Sequence, residues 1–207
     1  MIEEYLDIKN EMVKNNFTYD TLGKGTLFVK HLTRYGDLFW LHILFYPLPV
    51  DRIERFKRDV LARTGINESK PLTNLIMFYK KQNGVNLFSN SLVIFGYTDL
   101  MDYRNNSEPN PIISNNNALK LDKGILAIGY YSIDSTNIAI ICLNLTNGEC
   151  FSFRKNDIKM KPIKKWESFE SMLKSSIEIL SYHYDKEGYK IGADPKKPLL
   201  TRNKTYL

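Results

Sequence analysis

Apolar residues recur along this chain at two spacings, and the two alternate. Ile2, Tyr5, Leu6, Met12 and Val13 fall near one face of a helix over residues 1–16. In VDRIERFKRDVLART the stripe is Ile53, Phe56, Val60 and Leu61, with Arg52, Glu54, Arg55, Lys57 and Arg58 elsewhere. Asp51 stands where it would cap that helix. Pro71 opens a further helix, PLTNLIMFYKKQ, whose face is Leu72, Leu75, Ile76 and Tyr79. Gly84 is the expected stop, since glycine tolerates the left-handed conformation just past a helix end. The last helix is SFESMLKSSIEILSYHY, with Ser168 as cap and Phe169, Met172, Leu173, Ile177, Leu180 and Tyr184 as its stripe.

Between the helices the spacing shortens. GTLFVKHL and DLFWLHILFY, joined by TRYG, predict a hairpin. Asn83-Gly84 redirects the chain into one strand, NLFSNSLVIFGY, followed by a loop, MDYRNNSEPNPIISNNN. GILAIGYY, NIAIICLNL and ECFSFRK follow as strands. Both alternating faces of Ile138 to Leu145 are apolar, which predicts a central strand covered on both sides. A two-residue turn at Asn147-Gly148 pairs Leu145 with Cys150 and Cys142 with Phe153. The only two cysteines then point to opposite faces, as two buried thiols that cannot bridge. The pattern predicts an α+β fold, a mostly antiparallel sheet of about six strands flanked by amphipathic helices.

Composition narrows the function. The chain has 207 residues, 43% of them hydrophobic and 13% aromatic, which suits one domain with an elaboration and a real core. The start lacks the apolar stretch of a secretory signal, and no apolar run approaches the roughly 20 residues of a membrane helix. A cytoplasmic protein without a membrane association is expected. The net charge of +6 raises nucleic acid as a ligand, but lysines are scattered along the chain. The densest groups are Lys161, Lys164, Lys165 and Lys196, Lys197, and a solvated lysine surface is the simpler expectation.

Chemistry-bearing motifs are few. TLGKGT, residues 21–26, lacks phosphate-loop spacing, and G-x-S-x-G, H-E-x-x-H and C-x-x-C do not occur. His31, His42 and His183 are expected as structural residues, so no catalytic residue, metal ligand or cofactor is assigned. Tyr97, Tyr103, Tyr130 and Tyr131 fall at proposed strand ends and loops near Asp99, Asp102 and Asp134. Tyrosine gives large contact area at low entropic cost, so these seven residues are the expected partner-binding face.

The order of elements resembles the SUKH superfamily. Its carriers are Pro71, Leu72, Phe78, Tyr79, Asn83 and Gly84, then Leu92 and Ile94, then Gly124, Leu126, Ala127, Ile128 and Gly129. The Asn147-Gly148 hairpin and Trp166, Ser168, Phe169 and Leu173 complete it. The resemblance implies a SUKH-like domain over 49–184, with a helix and hairpin elaboration over 1–48 and a basic extension over 185–207. It also implies a non-enzymatic immunity protein that neutralises a cognate toxin by protein–protein binding. Nucleases and other nucleic-acid-directed enzymes are common toxins of that family. The alternative is a nucleic-acid-binding module built on the Lys-rich C-terminal region.

Overall fold

The computed structural model describes residues 18–20, 25–34, 37–98, 109–132, 138–157 and 160–184, and of residues 18–20, 30–34 and 37–40 the backbone alone. The helix expected over 1–16 and the extension over 185–207 lie outside the described residues.

Among the described residues nine strands form one sheet. They are β1 (Thr18–Asp20), β2 (Leu27–Arg34), β3 (Asp37–Leu44), β4 (Val85–Leu87), β5 (Leu92–Ile94), β6 (Ile125–Ser132), β7 (Ile138–Asn144), β8 (Cys150–Arg154) and β9 (Lys164–Trp166). Every strand pairs with its neighbours in sequence, and every pairing is antiparallel. The four helices described are α1 (Val50–Thr64) and α2 (Lys70–Tyr79) between β3 and β4, α3 (Ile112–Ala118) between β5 and β6, and α4 (Phe169–Ser181) after β9. The α+β class and the antiparallel sheet agree with the sequence. The expected hairpin is β2–β3, and it continues into the sheet through Ile43↔Asn86 and Leu44↔Val85.

Helix packing follows the apolar stripes. Phe56 of α1 lies 5.3 Å from both Tyr79 of α2 and Tyr97, and Phe78 meets Phe169 of α4 edge-on at 5.2 Å. Burying aromatic rings of this size contributes on the order of 2–3 kcal/mol each. Strand β7 is buried at each of its inner positions, as its two apolar faces require. Ser168 caps α4 through a reciprocal pair of hydrogen bonds with Ser171.

Several local expectations are corrected. Pro49, not Asp51, occupies the N-cap of α1, and Asp51 sits in the first turn, where its charge favours the helix dipole. Ser69 caps α2 by accepting from Leu72 N at 3.2 Å. That helix ends at a right-handed Lys80, short of Gly84. Gly84, at φ 89°, instead lets the chain run against β5, where an added Cβ would lie 2.8 Å from Ile94 O. The single strand expected after it is a hairpin, β4–β5. Part of the expected loop is helix α3, and the link before Trp166 is strand β9.

The β7–β8 register is Leu143↔Cys150 and Cys142↔Phe151, two residues away from the two-residue-turn expectation. The connection is longer because Asn144 Oδ1 accepts from Thr146 N at 2.9 Å while Gly148 N donates to Asn144 O at 2.8 Å. A shift of two residues keeps every side chain on its face. Cys142 and Cys150 therefore remain on opposite faces, free and buried.

Candidate partner-binding surface

At one end of the sheet the chain leaves β5 into residues 98–109 and comes back beside its own point of departure. Gly96 and Pro111 form a parallel bridge, with Gly96 N donating to Asn110 O at 3.0 Å and Ile112 N to Gly96 O at 2.9 Å. An added Cβ on Gly96 would lie 2.2 Å from Asn83 O, so no other residue fits there without moving the backbone. Asn83, fully buried, donates Nδ2–H to Tyr97 O at 2.9 Å and accepts from Tyr97 N at 2.7 Å. The Tyr97 hydroxyl donates to Asp59 Oδ2 on α1 at 2.7 Å.

The returning side is fixed as firmly. The Asn116 side chain of α3 pairs with Ala127 of β6, accepting from its N at 2.8 Å and donating to its O at 2.7 Å. The Arg63 guanidinium of α1 donates to the carbonyls of Asn116, Leu119 and Leu121 at 3.0–3.4 Å. Polar side chains thus replace strand partners where the ladder stops. Asp99, Asp102 and Tyr103 belong to the segment that springs from this base and lie outside the described residues.

Three of the seven expected residues are described, and the structure does not bring Tyr97 together with Tyr130 and Tyr131. Tyr130 pairs with Val93 and Tyr131 with Leu92, at the opposite end of β5 from Tyr97. At about 3.3 Å per residue, Val93 and Tyr97 are about 13 Å apart along the strand. Asp134 lies outside the described residues, in the β6–β7 connection beyond Ser132. Of the described residues, Tyr97 thus lies apart from Tyr130 and Tyr131. Moreover, the rings of Tyr97 and Tyr131 are buried. Tyr131 stacks on Trp166 at 6.2 Å, and burial, with Cys150 second, pushes its hydroxyl well above the usual tyrosine range. The Tyr97 ring thus belongs to the base of residues 98–109, and the Tyr131 ring to the core at the other end of β5. Tyr130, half-buried against Phe95 at 5.9 Å, is only partly committed to the core.

That second end carries a feature the hydrophobic pattern did not reveal. Phe88, Ser89 and Asn90 are consecutive left-handed residues, at φ 52°, 52° and 66°. Ser91 N donates to Phe88 O at 3.0 Å, making a tight turn of the hairpin type whose two central residues both need positive φ. Each such non-glycine residue costs roughly 1–2 kcal/mol. The turn is held by Ser89 N donating to Leu41 O, by Phe88 N donating to His42 Nδ1 at 3.3 Å, and by Phe88 packed edge-on against His42 at 4.8 Å. The Tyr184 hydroxyl donates to Phe88 O at 2.6 Å, so Ser91 Oγ is the donor in its 2.7 Å contact with that hydroxyl. Ser89-Asn90-Ser91 between Leu87-Phe88 and Leu92-Val93-Ile94 was the available signal.

His42 and His183 are buried, as structural histidines would be. Burial pushes the Cys142 thiol up to about 12 and Cys150 in the same direction, which removes both as thiolate nucleophiles near neutral pH. Among the described residues no three His, Cys, Asp or Glu side chains are grouped to hold a metal ion, and no helix is long and apolar enough to cross a membrane. Comparison with family models, with curated proteins and with solved structures finds no match to this chain.

Proposed function

We propose that this chain is a non-enzymatic binding protein of the immunity type, as its resemblance to the SUKH superfamily implies, acting in the cytoplasm on a cognate toxin. The observation that carries the reading is the closed base of residues 98–109, fixed by Asn83–Tyr97 on one side and Gly96–Pro111 on the other. A recognition segment whose two ends are already held loses less freedom on binding, and that saving appears directly as affinity. Asp99, Asp102 and Tyr103 are the contact residues of this reading, and covering a toxin's active site or docking surface needs no chemistry of the chain's own.

The lysines favour a protein partner over nucleic acid. Lys165 is paired with Glu149 at 2.8 Å, and Lys164 lies half-buried over the Trp166 ring at 5.0 Å. Lys165 therefore has its charge already answered by a carboxylate before any phosphate arrives. The test is co-expression of the tagged chain with the neighbouring open reading frames of its genome, purified at 300 mM salt. A stoichiometric protein that is toxic alone and harmless in the complex supports the reading, and Asp102→Ala with Tyr103→Ala then weakens the complex. Recovery of nucleic acid alone overturns it.

A further inference from the structure

At the far edge of the sheet three hydrogen-bond donors lie on one face, and among the described residues two of them are buried without a partner. Strand β9 pairs with β8 through Cys150↔Trp166 and Ser152↔Lys164, which puts all four side chains on one face. Ser152 is fully buried, and among the described residues its hydroxyl has no hydrogen-bond partner. Trp166 is 7% exposed, and its indole Nε1–H has none among the described residues either. Stacking on Tyr131, with the rings inclined by 29°, fixes the indole plane. Lys164 Nζ lies 5.0 Å from the centre of the same indole ring. Indole nitrogen and ammonium donate only, and a buried donor left unmet is costly because it has given up its water. The nearest paired acid does not serve them. Glu149 engages Lys165, whose side chain lies on the opposite face of β9 from Lys164.

We propose that Ser152, Lys164 and Trp166 form a carboxylate site, filled by an acidic side chain of an extended partner segment laid along β9. A carboxylate accepts from several donors at once, and its charge complements the ammonium. Lys164 is held half-buried, where desolvation lowers its pKa, and an arriving anion relieves that penalty. β9 closes the strand order, so among the described residues its outer edge pairs with no strand and offers backbone groups for strand addition. A lysine stem has several rotatable bonds, so its displacement from the ring opens the site at small cost. The site goes beyond the immunity reading and does not depend on residues 98–109.

The test is proton–nitrogen NMR of the full chain, following the Trp166 indole N–H, identified by loss of the Trp40 signal in Trp40→Phe. The probe is a blocked hexapeptide alternating Thr and Glu, with its Thr–Gln counterpart and acetate as controls. The expected result is a saturable shift with the Glu peptide only, weakened about tenfold in Ser152→Ala and lost in Lys164→Met. Lys164→Met keeps the stem over the ring, so loss of fold does not explain its silence, and an unchanged spectrum elsewhere verifies that. No shift at about 10 mM peptide, an equal shift with the Gln peptide, or contact of the indole with an ordered water alone overturns the proposal. Acetate acting as strongly as the peptide overturns the strand occupant.

Discussion

Asn83 meets both backbone hydrogen-bonding groups of Tyr97, donating to its carbonyl at 2.9 Å and accepting from its N–H at 2.7 Å. One side chain from the end of α2 thus stands in for a strand partner just where β5 stops. Asn83→Leu leaves two buried backbone groups unmet and is expected to cost about 2–4 kcal/mol in urea unfolding. Asn83→Asp keeps the acceptor but loses the donor and buries a charge, so no rescue is expected from it.

The left-handed turn gives a prediction of opposite sign. Ser89 sits at φ 52°, where glycine has no steric penalty. Ser89→Gly is expected to raise stability by about 0.5–1 kcal/mol, and Asn90→Gly by less, since asparagine tolerates this region. Phe88→Ala removes a buried ring that touches His42 and Tyr184 and is expected to cost about 3–5 kcal/mol. Equal thermal midpoints for Ser89→Gly and the parent would contradict the strain argument.

Two glycines separate crowding from conformation. A Cβ on Gly129 would lie 2.1 Å from Val93 O, a backbone atom of the paired strand. On Gly65 it would meet nothing within 4 Å, but φ is +76°. Gly129→Ala is expected to cost about 3 kcal/mol or more, and Gly65→Ala only about 1 kcal/mol. Denaturation midpoints of the two variants check the ratio.

Alkaline pH should loosen the fold in two stages. Burial raises the Cys142 thiol from 9.0 to about 12 and shifts Cys150 the same way. Above pH 9.0 the unfolded chain releases protons that the folded chain still holds, so stability falls as pH rises. Tyr79, Tyr130, Tyr131 and Tyr184 are raised from 10.0 by burial and steepen the fall above that value. Lys164, lowered from 10.5, works the other way, since its buried charge is relieved as pH climbs. One half-buried lysine does not offset two thiols and four phenols. Urea midpoints should decline from about pH 9, and replacing both cysteines by alanine should remove the first stage.

Much of the fold was legible in short windows of sequence. Helices α1, α2 and α4 announced themselves through a stripe at helical spacing, and α2 through Pro71. Strands β6, β7 and β8 were visible because buried strands read as apolar runs. Helix α3 was not, because ISNNNA lacks a stripe, and its Asn116 is spent on Ala127, a residue from another element. Strand β9 was missed because three residues carry no periodicity, and β8 alone makes them a strand.

The candidate surface was read only in part for the same reason. Nothing local distinguishes Tyr97 and Tyr131, with rings in the core, from a tyrosine that faces solvent. Nor does sequence proximity reveal that Tyr97 lies past the end of β5 while Tyr130 pairs with Val93 inside it.

By itself the sequence determined the class of fold, the three longer helices and the opposite facing of Cys142 and Cys150, because periodicity and parity are properties of the local chain. Only the tertiary structure decided the nine-strand order, the closed base under residues 98–109, the left-handed turn at Phe88–Asn90 and the unmet donors of Ser152 and Trp166. Each of those depends on a partner distant in sequence, and the free energy that selects it exists only once the two segments meet.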